Sequence, residues 1–108
     1  MQNRRIYWTI GLEYKTSLDQ LRKIRDEIED YLKESGSFVS ESEQATFVRI
    51  DKFSDSSIDI LVYCFAKTKV WGEWLKVKEE LAYQIKNIVE NNNAGFAFPS
   101  QTIYYENI

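Results

Sequence analysis

Within its first third the chain changes hydrophobic period, and that change decides the class of architecture open to it. From Arg5 to Tyr14 the pattern alternates: Ile6, Trp8, Ile10, Leu12 and Tyr14 share one parity, and Arg5, Tyr7, Thr9, Gly11 and Glu13 share the other. A two-residue period assigns one set to each face of a strand. From Leu18 the period lengthens. Leu18, Leu21, Ile24, Ile28 and Leu32 recur at steps of three and four with Arg, Lys, Asp and Glu between them, which predicts a helix with one buried stripe. Ser17 followed three residues later by Gln20 is a capping-box pattern, and Gly36 offers a left-handed stop. A strand and a helix that each hide one side need a shared core, so the remainder must complete a layered α+β unit.

The second half repeats the theme. The stretch from Ser35 to Gln44, rich in Ser, Glu and Gly, reads as a solvated loop. Ala45 to Phe53 and Ser57 to Ala66 read as strands, the latter with Ile58, Ile60, Val62 and Cys64 on one parity. Ser54-Asp55-Ser56 between them favours a tight turn and an antiparallel hairpin. A second helix is expected from Val70 to Asn91, with Trp74, Val77, Leu81, Ile85 and Ile88 as its stripe and the Asn91 to Gly95 run as its end. Ser100 to Glu106 has strand character, with Pro99 at its start, where a missing amide does least harm. The order strand, helix, strand, strand, helix, strand predicts a ferredoxin-like α+β sandwich: a four-stranded antiparallel sheet with both helices on one face. Right-handed crossovers place the first and third strands in its middle.

Residue usage narrows the function. At 108 residues the chain is read as a single domain, 1–108. It has 14 basic and 17 acidic residues, a net charge of −3, so non-specific binding to a polyanion is not favoured. With no His and one Cys, the usual triads, imidazole relays and His-ligated zinc sites lose their central residue. No spacing pairs a nucleophile with a base, no Gly-rich phosphate loop occurs, and Cys64 falls on the buried parity. The expectation is therefore no enzyme, with no catalytic, cofactor-binding or metal-binding residue. Apolar runs are far shorter than the roughly 20 residues of a membrane helix. No apolar stretch follows the early charges as in a secretion signal, and a cytosolic location is expected.

The parity opposite the core side carries Tyr7, Thr9, Leu61, Tyr63 and Phe65 on the two middle strands. Such an apolar, aromatic face on a soluble domain is expected to meet another surface, and Tyr7, Leu61, Tyr63 and Phe65 are the candidate interface. The bland alternative is that the rings only support strand pairing. The RNA-recognition motif stacks bases on this face of the same topology, but Asp59 to Phe65 contains no Gly and begins acidic, which argues against nucleic acid.

Two segments carry a more specific signal. Phe47 to Ile58 and Phe96 to Thr102 resemble, in order and spacing, the C-terminal cytosolic domain of the small-conductance mechanosensitive channel (MscS) family. Arg4-Arg5-Ile6, Ile10 to Tyr14, Lys67-Thr68 with Trp74, and Lys78-Glu79-Glu80-Leu81 are also similar to that family. Ser54 departs from it, standing where members usually carry Gly, and so does the Asn92 to Gly95 run. The resemblance implies a fragment of a channel that releases ions and small solutes under membrane tension, with membrane helices and a small β domain ahead of it. It also implies a heptameric vestibule on the cytoplasmic side of the inner membrane, in which this part is structural and non-conducting, whereas the isolated domain is expected as monomer or dimer. Asp55, Ser56, Ser57, Phe98, Pro99, Gln101 and Thr102 are the motif residues, read as structural: Asp55 and Ser56 accepting from turn amides, Phe98 and Pro99 fixing the last strand. The competing reading is a small ligand-sensing module that dimerises edge to edge.

Overall fold

A computed structural model describes residues 4–97. Its elements are β1 (Arg4–Leu12), α1 (Leu18–Glu34), β2 (Phe47–Phe53), β3 (Ile58–Ala66) and α2 (Trp71–Asn91). The strands form an antiparallel sheet in the order β1-β3-β2, with Ile6 opposite Cys64 and Val48 opposite Val62. One parity of the sheet is buried with both helices. Ile6, Leu12, Val48, Ile58, Ile60, Val62 and Cys64 share a single cluster with Leu21, Ile24, Ile28 and Leu32 of α1 and Leu81, Ile85, Ile88 and Val89 of α2. The alternation seen in the sequence is therefore the alternation of core and outer face.

The final strand expected over Ser100 to Glu106, with the motif residues Phe98, Pro99, Gln101 and Thr102, lies outside the described residues. Just before it the chain already runs along β1: Glu13 N donates to Gly95 O at 3.0 Å, Ala97 N donates to Gly11 O at 3.0 Å, and Phe96 bridges Leu12.

Three local features depart from expectation. Leu18 is 61% exposed rather than part of the buried stripe, because it begins α1 one turn ahead of the first core contact. The Ser35 to Gln44 stretch is not simply solvated. Ser37 O accepts from Lys67 N at 2.9 Å, Val39 N donates to Phe65 O at 2.9 Å, and the buried Phe38 bridges Ala66, so this segment extends the sheet where β2 has not yet begun. In β2 the register shifts between Ile50 and Lys52, leaving Asp51 as the extra residue of a β-bulge.

The capping box is present and does a second job. Ser17 Oγ accepts from Gln20 N at 3.1 Å, and Gln20 Oε1 accepts from Ser17 N at 2.7 Å. The other end of the same amide, Nε2, donates to the carbonyls of Asn92 at 2.8 Å and Asn93 at 3.1 Å, just past the C-terminus of α2. Glutamate serves a capping box equally well but cannot donate. Gln20→Glu therefore separates the two roles: it keeps the cap, loses both donated bonds and sets a charge against two carbonyls. The expected cost is about 1–3 kcal/mol in chemical denaturation. An unchanged midpoint would show that the link between the helix ends contributes nothing.

Candidate functional site

The outer face of the sheet carries a row of rings fixed by strand register. Tyr63 on β3 stands directly opposite Tyr7 on β1 and opposite Phe47 on β2, so three aromatic residues cross the sheet in one line. The Tyr7 and Tyr63 centroids are 5.7 Å apart at 81°, Phe47 and Tyr63 are 5.9 Å apart at 32°, and Phe65 meets Tyr63 edge-on at 5.5 Å. The Arg5 guanidinium lies 5.8 Å from the Tyr7 centroid. Aromatic pairs of this kind contribute about 0.5–1.5 kcal/mol each beyond their buried area. Tyr7 is 60% and Phe47 47% exposed, while Leu61, Tyr63 and Phe65 are half-buried.

The structure thus brings Tyr7, Leu61, Tyr63 and Phe65 to one face, and adds Phe47. Sequence reasoning missed Phe47 because an uninterrupted hairpin from the Ser54 to Ser57 turn would set it opposite Cys64, on the core side. The bulge at Asp51 moves the register by one, turning Val48 inward and Phe47 outward.

The sheet edges are occupied in a different way. Arg25 of α1 reaches the edge strand β2 and donates from Nε to Val48 O at 2.8 Å. Its guanidinium is held by Glu29 at 2.9 Å and Asp26 at 2.5 Å. A charge laid on an edge carbonyl opposes addition of a foreign strand there. On the other side, β1 takes up Gly95 and Ala97.

The turn that joins β2 and β3 is locked by a residue not singled out in the sequence. Asp59 is 7% exposed, and its carboxylate accepts from Ser54 Oγ at 2.6 Å and Ser57 Oγ at 2.7 Å, while Ser54 N donates to Ser57 O at 2.8 Å. Asp55 and Ser56 are exposed at the tip, and the flanking Ser54 and Ser57 hydroxyls donate to the Asp59 carboxylate. Gly11 lies opposite Asp59, and a Cβ there would sit 3.4 Å from Ser57 Cβ and 3.5 Å from Asp59 Oδ1. The Ser54 hydroxyl first, then that of Ser57, holds the Asp59 carboxyl below the ordinary carboxylate range. A lowered folded-state value means that Asp59 stabilises the fold above the unfolded pKa of about 3.9, and that this contribution fades as pH falls through the still lower folded value. Asp59→Asn is expected to cost about 1–3 kcal/mol at neutral pH. The gap to the parent should close in acid titrations followed by circular dichroism; a gap constant down to the acid transition would refute the assignment.

Cys64 is fully buried, and burial pushes its thiol up to about 12, which keeps it protonated at neutral pH. Among the described residues no helix is long and apolar enough to cross a membrane.

Residues 6–96 match the family model of the mechanosensitive ion channel MscS, C-terminal. The chain is 42% identical over 108 residues to the low conductance mechanosensitive channel YnaI of Escherichia coli, covering all of this chain and 31% of that protein. The chain therefore spans about a third of that relative's length. The crystal structure of Helicobacter pylori MscS in its closed state superposes with a TM-score of 0.64 at 25% identity, covering 91% of this chain and 36% of that one. The cryo-EM structure of Arabidopsis thaliana MSL1 superposes with a TM-score of 0.80 at 17% identity, over 92% and 35% of the two chains, and shows the same fold.

Proposed function

Because this chain belongs to the MscS mechanosensitive channel family, as the C-terminal domain of such a protein, we propose that it is a building block of the channel's cytoplasmic vestibule, holding subunits together through its aromatic sheet face. The domain itself is architectural, neither conducting nor catalytic. In the assembled protein it shapes the compartment through which ions and small solutes reach the pore as tension opens it. We take the full sandwich to be ferredoxin-like, a reading supported by the pairing of Gly95 and Ala97 with the end of β1.

One observation carries this reading: a row of exposed and half-exposed rings crosses the outer face of a sheet whose β2 edge already holds Arg25 on Val48 O. A second copy of the chain fits such a face, since apolar surface of this kind is seldom left to water. The edge-to-edge dimer of a ligand sensor is disfavoured by the same facts, because Arg25 must leave Val48 O before another strand can pair there. Native mass spectrometry of the full-length parent in detergent tests the proposal. A ring of identical subunits, heptameric as in the family pattern, is the expected result. Dimers whose formation depends on an added metabolite would overturn it in favour of the sensor.

A further inference from the structure

We propose that this domain binds a free α-amino acid with an apolar side chain, in a cavity of about 390 Å³ between the end of α1 and the loop that precedes β2. The site lies within one chain, so it does not depend on assembly through the aromatic face. Its floor is apolar: Leu32, the last member of the α1 stripe, with Phe38 and Val39, all three buried. The sheet holds that floor. Val39 N donates to Phe65 O and Lys67 N to Ser37 O, each at 2.9 Å, and the Phe38 ring centroid lies 6.1 Å from that of Tyr31. Ser40 O accepts from Glu43 N at 3.0 Å and from Gln44 N at 3.1 Å, so the loop turns back on itself and forms a wall. A Cβ at Gly36, which lines the cavity with a φ of +80°, would meet nothing within 4 Å, so that side is open. A cavity of this volume, apolar below and polar at its rim, has the form of a small-molecule site.

Charge at the rim selects the ligand. Lys33 and Lys67 line the cavity together with Glu41 and Glu43, so its charges balance. Lys33 is already engaged, with Nζ 3.9 Å from Glu41 and 4.0 Å from Glu29. Lys67 and Glu43 have no ion-pair partner among the described residues, which leaves one cation and one anion for a ligand. A simple anion is repelled by Glu43 and a simple cation by Lys67. A zwitterion satisfies both, with its carboxylate on Lys67 and its ammonium on Glu43. Both side chains are exposed and end in long flexible stems, which lets them meet two charges carried close together. The apolar side chain of the ligand then leaves water for the floor of Leu32, Phe38 and Val39.

Amide NMR spectra of the 108-residue chain, titrated with L-phenylalanine, test the proposal. Saturable shifts are expected at residues 36–46 and 67, with a Kd on the order of 1 mM. Phenylpropionate lacks the ammonium and L-phenylalaninamide lacks the carboxylate, and each should bind at least roughly fivefold more weakly. Glycine keeps both charges but has no side chain, and it should give no saturable shift. Lys67→Met and Glu43→Gln should each weaken L-phenylalanine by a similar factor while moving the melting temperature by less than about 3 °C, as expected for exposed positions. Absence of saturable shifts with L-phenylalanine would overturn the inference. Equal affinity for phenylpropionate or for L-phenylalaninamide would overturn recognition of the zwitterion. Shifts centred on Tyr7 and Tyr63 would overturn the site in favour of stacking on the sheet face.

Discussion

Tyr63→Ser together with Phe65→Ser, introduced into the full-length parent, is expected to weaken its oligomer by at least roughly a hundredfold while the domain stays folded. Buried aromatic anchors at interface centres typically contribute about 2 kcal/mol or more each, and two of them correspond to that factor or more. The two rings are adjacent members of one row, Phe65 edge-on to Tyr63 at 5.5 Å and Tyr63 between Tyr7 and Phe47. Serine removes both the apolar area and the ring pairs that the row forms. Within a single subunit the loss is smaller, because both side chains are only half-buried and what disappears is mainly a set of ring pairs worth about 0.5–1.5 kcal/mol each. Native mass spectrometry reads the assembly, and circular dichroism of the 108-residue chain reads the fold. Oligomers that persist unchanged on dilution would remove the aromatic face from the interface.

The largest effect on the fold itself is expected from Ile60→Ala. Ile60 is fully buried on the central strand, with Ile10 opposite it on β1 and Ile50 opposite it on β2. Truncation removes the transfer free energy of the lost methyl groups and leaves a void that the sheet cannot close, since both neighbouring strands are held in register. The cost is about 2–5 kcal/mol. For a domain of this size that lowers the melting temperature by on the order of 10–20 °C. Ile50→Ala is the matched control: same parity, same cross-strand row, but 38% exposed at the sheet edge. It should cost less than about 1 kcal/mol, because most of its side chain leaves no void in the core. Similar losses for the two variants would contradict the layer assignment.

The layers were legible because both hydrophobic periods are long and clean. Ile6 and Leu12, then Leu21 through Leu32, announce their buried sides without reference to anything distant. The ring row was partly legible for the same reason: once Ile60, Val62 and Cys64 face inward, Leu61, Tyr63 and Phe65 must face outward. What escaped depends on contacts remote in sequence or on a broken period. The bulge at Asp51 breaks the count in β2 and so hides Phe47. The buried Phe38 and Val39 pair with the far end of β3, a partnership that a Ser- and Glu-rich stretch does not advertise. Nothing in the local pattern marks Asp59. Its role comes from the turn that brings the Ser54 and Ser57 hydroxyls onto it.

The guanidinium resting on Val48 has a consequence during biosynthesis. Under the assembly proposed above, a newly made subunit is surrounded by identical copies while its aromatic face is still bare. A naked strand border in that situation would template an open-ended ladder, which grows and does not readily reverse. Arg25 on Val48 O obstructs that part of the β2 border, which favours contacts between ring faces over growth of a ladder there. In the proposed assembly, a misplaced face contact can come apart and be made again, whereas a strand ladder cannot readily do so.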